Sequence, residues 1–287
     1  MSTQPRRKTV AGVGELLWDL LPGGKQLGGA TTNFAYHAHA LGAEAWVVSR
    51  VGEDPLGTEI LDRFEVLGLP ADLVTVDPLA PTGTVSVELS ADGQPRFTIH
   101  ENVAWDNLLA TRAAHEVIGR ADAVCFGSLA QRGPGARAAI RSLLSATPPQ
   151  AVRVFDVNLR QHFFSQEVIA SSLELATVLK INDQELPVLA GMFHLRGDTS
   201  EQLRELALRF ELSLVALTRG ARGSLLYSQD RFSDHPGTPA KVADSVGAGD
   251  AFTAGMTLGL LAAYVCSRAG GTPPLPQCLK QLFSTPA

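Results

Sequence analysis

Asp244-Ser245-Val246-Gly247-Ala248-Gly249-Asp250 decides the fold of this chain. Small residues crowd the stretch, an acid stands at each end, and the apolar run Ala251-Phe252-Thr253-Ala254-Gly255-Met256 follows. The pattern predicts a tight turn feeding the first turn of a buried helix. Gly247, Ala248 and Gly249 carry no large side chain, so a ligand can come close to their backbone. Their N–H groups have no partner at a helix start, where the helix dipole also favours negative charge. Such a terminus binds phosphate. Asp250, one residue past the last glycine, stands beside that phosphate and can take a proton from an attacking hydroxyl. An anion cradle and a base are the two parts that phosphoryl transfer to an alcohol requires.

Upstream, apolar strands alternate with helical patterns. Residues 10–15, 45–51, 123–126, 152–156, 178–181 and 214–218 read as strands. Residues 32–41, 55–67, 135–144, 166–176, 185–190 and 200–210 read as helices, the first two closed by Gly42 and Gly68. This alternation predicts a mainly parallel sheet covered on both faces. Ligands in such sheets sit beyond the strand C-termini. Asp156, Asn158, Asn182 and Thr218 all fall at strand C-ends, so they converge on one edge. Residues 82–89 and 96–100 alternate about a turn at Ala91-Asp92-Gly93-Gln94. They form a hairpin outside the main sheet, and Pro22-Gly23-Gly24-Lys25 marks a second one.

Composition narrows the function classes. With 287 residues and 45% hydrophobic residues, the chain can bury a core of one large α/β domain. A net charge of −5 argues against a nucleic-acid binder, whose surface would be basic. No apolar stretch reaches the ~20 residues of a membrane helix, and no signal-peptide pattern opens the chain. Cys125, Cys266 and Cys278 are scattered and form no CxxC, as expected of reduced thiols in a cytoplasmic protein. His37 and His39 lie two apart on a helix and face different ways, which argues against a shared metal.

Two nucleotide motifs fail. Gly23-Gly24-Lys25-Gln26 lacks the P-loop spacing and its hydroxyl, and Gly12-Val13-Gly14 is followed by Glu15-Leu16-Leu17 rather than a dinucleotide loop. The cradle at 247–249 remains the best anion site. Gly28-Gly29-Ala30-Thr31-Thr32-Asn33 places two glycines before a helix start, with the amide of Asn33 one turn in and able to donate to and accept from hydroxyls. Asp19 follows the first strand.

These elements together resemble the ribokinase-like, or PfkB, family of carbohydrate kinases. The run 244–250 resembles its C-terminal signature. Residues 28–57, with Gly42 and Val51-Gly52-Glu53-Asp54, resemble its N-terminal one, although threonines stand where many relatives carry a proline. Asn182-Asp183-Gln184-Glu185 is similar to the family's Asn-x-x-Glu element. Thr218-Arg219-Gly220-Ala221-Arg222-Gly223 is similar to its nucleotide loop, and Asp156-Val157-Asn158-Leu159-Arg160 to a run in fructokinases and 2-keto-3-deoxygluconate kinases. The likeness spans about residues 10–277.

The resemblance implies an α/β, ribokinase-like three-layer sandwich with a mainly parallel central sheet and a small β-sheet lid. It implies one domain over 1–287, the lid drawn from about 15–30 and 82–104. The activity implied is ATP-dependent phosphorylation of a small sugar, fructose first. A 2-keto-3-deoxygluconate kinase, a nucleoside kinase or a catalytically impaired sugar-binding relative stay open. In that picture Asp250 is the base, and Gly247, Ala248 and Gly249 steady the phosphoryl group. Asp19, Gly28, Gly29, Asn33 and Arg160 bind sugar. Asn182, Thr218, Gly220 and Gly223 bind nucleotide, and Glu185 faces the metal. ATP, Mg²⁺ and a monovalent cation, K⁺, are the implied cofactors. The implied partners are the sugar and ATP, with a homodimer through the lid. Arg132 at the end of another strand either points inward or lies on the surface. One departure stands out: relatives have about two dozen more residues after the signature helix, forming one wall of the adenine pocket. An interruption of the backbone is therefore expected between about Thr257 and Tyr264.

Overall fold

A computed structural model of the chain describes residues 6–21, 23–89, 95–239 and 246–266. Asp244 and Ser245 of the signature, the turn at 91–94, Pro22 and Cys278 lie outside these described residues.

The strands are β1 (Thr9–Val13), β2 (Leu17–Leu21), β3 (Gly24–Gly28), β4 (Glu44–Gly52), β5 (Val74–Asp77), β6 (Gly83–Leu89), β7 (Pro95–Ile99), β8 (Ala123–Gly127), β9 (Val152–Asp156), β10 (Val178–Asn182), β11 (Leu214–Thr218), β12 (Ser224–Ser228) and β13 (Arg231–His235). The α-helices are α1 (Ala30–Ala40), α2 (Pro55–Leu67), α3 (Arg112–Ile118), α4 (Pro134–Ser145), α5 (Gln166–Leu173), α6 (Glu185–Phe193), α7 (Thr199–Arg209) and α8 (Ala248–Cys266).

Nine strands form one sheet in the order β13-β12-β11-β10-β9-β8-β1-β4-β5. All neighbours from β11 to β5 run parallel, and β12 and β13 add an antiparallel edge. A parallel sheet must be covered on both faces, and the side-chain alternation shows how this one is. Phe126 and Phe155 pair in register and stack at 5.2 Å, packing with residues of α3 to α7 on one face. Their neighbours Cys125 and Val154 turn to the other face, towards α1, α2 and α8. The result is the three-layer α/β sandwich expected from the strand–helix alternation.

A second sheet of four strands, in the order β3-β2-β6-β7, is the lid. Its attachments to the core are specific. Asp54 caps α2 through Gly57 N (2.8 Å) and also takes the N–H and hydroxyl of Thr82, each at 2.7 Å, just before β6. Where β7 leaves the lid, Arg132 donates to the His100 carbonyl at 2.7 Å. It also holds Asp106 through two bonds of 2.7 and 2.8 Å. Its guanidinium lies 4.0 Å from the Trp105 ring centre and 4.7 Å from that of Phe163. Arg132 therefore points inward, and the aromatic faces account for its one buried nitrogen without a hydrogen-bond partner.

The sequence pattern misses β5, β13 and α3. β13 is a wholly exposed edge strand and α3 is seven residues long, so neither carries a strong apolar period. The expected interruption between Thr257 and Tyr264 is a correction: α8 is one unbroken helix of 19 residues. Only Gly259 among 257–264 disfavours helix. Thr253 Oγ1 lies 2.9 Å from Gly249 O one turn back, sharing its single hydrogen with Asp156 Oδ2, and Thr257 Oγ1 donates to Thr253 O at 2.7 Å. Each residue carries the chain about 1.5 Å further from the cradle, so α8 does not fold back beside it.

Candidate active site

The C-terminal ends of β1, β8, β9, β10 and β11 face the N-terminus of α8 and the lid. Gly247 has φ 76°, a left-handed turn that suits glycine, and it swings the chain into α8, where Ala251 N bonds Gly247 O at 2.8 Å. Ala248, Gly249 and Asp250 are the first three residues of the helix. Their N–H groups are among the four that an α-helix leaves without intrahelical partners.

Asn33, one turn into α1, donates through Nδ2 to Asp250 Oδ2 at 2.8 Å. This bond joins residues 217 apart in sequence and fixes the carboxylate beside the cradle. Burial pushes the Asp250 carboxyl up to about 6; Asp156 adds to the rise, while Asn33, Lys180 and Arg160 oppose it. A carboxylate with such a value is mostly ionised at neutral pH yet holds a proton better than a solvated one.

Beneath the cradle lies a buried charge pair that sequence reasoning missed. Lys180 Nζ meets Asp156 Oδ1 at 3.0 Å, the side chains 6% and 4% exposed. Asp156 Oδ2 accepts Thr253 Oγ1 at 3.0 Å, tying α8 to β9. A Cβ on Gly249 would stand 3.1 Å from Lys180 Nζ, so the ammonium sits under the first turn of α8. Burial pulls the Lys180 amine down, but Asp156 and Glu185 outweigh it and hold its pKa above the usual lysine value. The signal was present in the sequence. A lysine in the middle of Val178-Leu179-Lys180-Ile181 must be paired if that strand is buried.

On the lid side, Asp19 of β2 projects over Gly28 of β3, where any Cβ would collide with its carboxylate. Burial raises the Asp19 pKa and Arg160 opposes the rise. Gly29, at φ 110°, passes against the Glu15 carbonyl with no room for a side chain. The space freed by the two glycines is thus filled by Asp19 and by Glu15. Arg160 is exposed, and its charge bears on Glu15, Asp19 and Asp250 together. Its loop is held in place by Leu159 N donating to Glu185 Oε1 at 2.9 Å and Gln161 Nε2 donating to the lid carbonyl of Phe97 at 2.8 Å. Asn158 and Gln161 there have φ of 43° and 47°, conformations tolerated where the surroundings impose them.

The remaining expected residues gather a few strands away. Asn182 and Thr218 pair across β10 and β11. Asn182 Oδ1 caps the next turn through Gln184 N and Glu185 N, both 2.9 Å. Glu185 is buried, and its oxygens accept Leu159 N and Asn182 N, both at 2.9 Å. Gly220, at φ 57°, has open space above it. Gly223 does not: a Cβ there would run into the His235 carbonyl and Gly237, so its smallness serves the approach of β13.

Among the described residues no group of three or more His, Cys, Asp or Glu side chains could hold a metal ion. Glu185 already takes one amide on each oxygen, and the lone pair left on each suits a water of a hydrated cation. That donor set fits Mg²⁺, which keeps several waters and binds through one or two carboxylates plus substrate phosphates. No described helix is long and apolar enough to cross a membrane.

The chain is similar to known proteins over most of its length. The profile described as "pfkB family carbohydrate kinase" matches residues 23–278. A putative sugar kinase of Pyrococcus horikoshii is 27% identical over 270 residues, covering 88% of this chain and 82% of that protein. A Zea mays fructokinase is 29% identical over 265 residues, covering 86% and 81%. Among solved structures, the apo fructokinase of Vibrio cholerae O395 superposes with a TM-score of 0.74 at 27% identity, over 87% of this chain and 88% of that one. The Pyrococcus sugar kinase in complex with ATP superposes at 0.75 with 26% identity, over 88% and 85%. With its fold and most of its length matched, the chain belongs to the pfkB family of carbohydrate kinases.

Proposed function

We propose that this protein transfers the γ-phosphoryl group of ATP to a hydroxyl of a small sugar, and that the sugar is fructose. The observation that carries the reading is the Asn33–Asp250 bond at the N-terminus of α8, which sets a carboxylate against an anion cradle. Asp250 takes the proton of the attacking hydroxyl. The free amides of 247–250 and the dipole of α8 stabilise the charge that develops on the phosphoryl oxygens, with Lys180 adding its field from below. Asp19, for which Gly28 makes room, and Asn33 accept from and donate to the sugar hydroxyls, and Arg160 closes that side. The nucleotide lies along Asn182, Thr218 and Gly220. A Mg²⁺ ion, held through water by Glu185, would neutralise phosphate charge. Fructose is favoured by the names of the relatives and by the run from Asp156 to Arg160.

A second reading rests on α8. Because it runs straight to Cys266, residues 251–266 do not return to the nucleotide, which favours a sugar-binding relative with weak ATP use. ADP release measured across fructose, ribose, adenosine and 2-keto-3-deoxygluconate, beside calorimetric binding of each, separates the readings. Fructose is expected to give the highest kcat/KM. A higher value for adenosine or the keto acid rejects fructose; sugar binding without ADP release establishes the second reading.

A further inference from the structure

We propose that Glu15 is a positioning residue of the phosphoryl-transfer site, acting on Asp250 through the first turn of α1 and Asn33. Glu15 is 2% exposed and lies just past the C-terminal end of β1. Its Oε1 accepts the N–H of Ala30, the first residue of α1, at 3.0 Å. Its carbonyl accepts Thr32 Oγ1 at 3.0 Å and Thr31 Oγ1 at 3.4 Å. Asn33 N then closes the turn on Gly29 O at 2.8 Å, and Asn33 Nδ2 holds Asp250. The register of α1, and with it the reach of Asn33, is therefore fixed at Glu15.

The second carboxyl oxygen sets Glu15 apart from an ordinary cap. Oε2 is buried and has no hydrogen-bond partner. A neutral asparagine or serine would satisfy a helix start at lower cost than a buried carboxyl with an unmatched oxygen. What a carboxyl adds is a group that titrates beside the base. Asp250 from α8 and Arg160 from the loop after β9 both act on Glu15. Asp19 of β2 shares the same Arg160, and Asp156 and Lys180 act on Asp250 from below. Burial carries the Glu15 carboxyl up to about 7, beside Asp250 at about 6. The charge of Asp250 adds to the burial that raises Glu15. Near neutrality one of the two tends to keep its proton, which favours a single negative charge at the position Asn33 prepares for the base.

The inference rests on Asp250 as base, and its test separates the two. Glu15→Gln keeps an acceptor for Ala30 N and removes the charge. Glu15, at about 7, still holds its proton while Asp250 ionises near 6, so this variant is expected to keep kcat within a few-fold of wild type and to leave the acid limb in place. Glu15→Ala releases the turn and is expected to lower kcat by roughly 10–100-fold while sugar KM changes little, as for a misplaced reacting group. A Glu15→Ala variant with the wild-type kcat, or a Glu15→Gln variant as slow as Glu15→Ala, overturns the proposal. Should that variant not fold, ¹³C-carboxyl titration of full-length Asp250→Asn against wild type decides. A lower Glu15 midpoint supports the coupling and an unchanged one overturns it. This readout needs no turnover, so it stands even if full activity in Asp250→Asn were to remove the base assignment.

Discussion

Lys180 and Asp156 meet at 3.0 Å in the interior, directly under the turn where Gly249 opens α8. Neither charge is tolerable there alone. Lys180→Met should therefore destabilise the protein by about 3–5 kcal/mol, the usual cost of stranding a buried partner. Urea unfolding measures this. The double variant Lys180→Met/Asp156→Asn should recover much of the loss, since the stranded charge is gone. If the double variant is no more stable than the single one, the pair is not the source.

Asp250→Asn should lower kcat by about 10²–10⁴-fold, the usual contribution of a general base, with sugar affinity within a few-fold of wild type. The amide still accepts from Asn33 but takes no proton. In the wild type, kcat/KM should fall on the acid side with an apparent pKa near 6, the value burial gives Asp250. A profile flat down to pH 4.5 speaks against this residue as the base.

The same raised carboxyl makes a stability prediction of definite sign. Asp250 has a pKa of about 6 folded against an ordinary value of 3.8. Between those values the folded state binds more protons than the unfolded state, so stability falls as pH rises through about 4 to 6. Asp250→Asn should thus be more stable than wild type at pH 8, by on the order of 1–2 kcal/mol after allowing for partial exposure. The gap should close near pH 4. Paired thermal melts at both pH values show it; a variant less stable at pH 8 contradicts the electrostatic account.

Asp19→Ala should raise the sugar KM by at least about 10-fold, as loss of hydrogen bonds to a charged acceptor does, and leave the ATP KM nearly unchanged. Asp19 sits on β2 over Gly28, on the Arg160 side of the cleft and away from Thr218. Equal changes in both constants would place it outside the sugar site.

Much of this arrangement was legible in the chain because it depends on local chemistry. Strand–helix alternation gave the parallel sheet, and Pro55 with Gly68 delimited α2. The glycines at 247 and 249 marked the cradle. What stayed hidden depends on contacts far apart in sequence. Nothing near Asn33 points to Asp250, 217 residues on. Thr253 reads as an ordinary helix residue until Asp156 stands opposite it. Gly223 looks like a nucleotide-loop glycine, yet its smallness answers to a strand that sequence pattern missed. The course of α8 was misjudged because the resemblance called for a return that the residues themselves, rich in helix formers, do not make.

Asp54 with Thr82, and Arg132 with His100, rivet the small sheet to the large one where β6 enters and β7 leaves. β2 and β3 are rooted as well, in the Glu15 segment and in α1. A sheet held at every root cannot swing as a door on one hinge. Asp19 and Gly28, on the paired strands β2 and β3 near those roots, are held with them. Under the proposed function, the sugar then meets at Asp19 and Gly28 a near wall already in place.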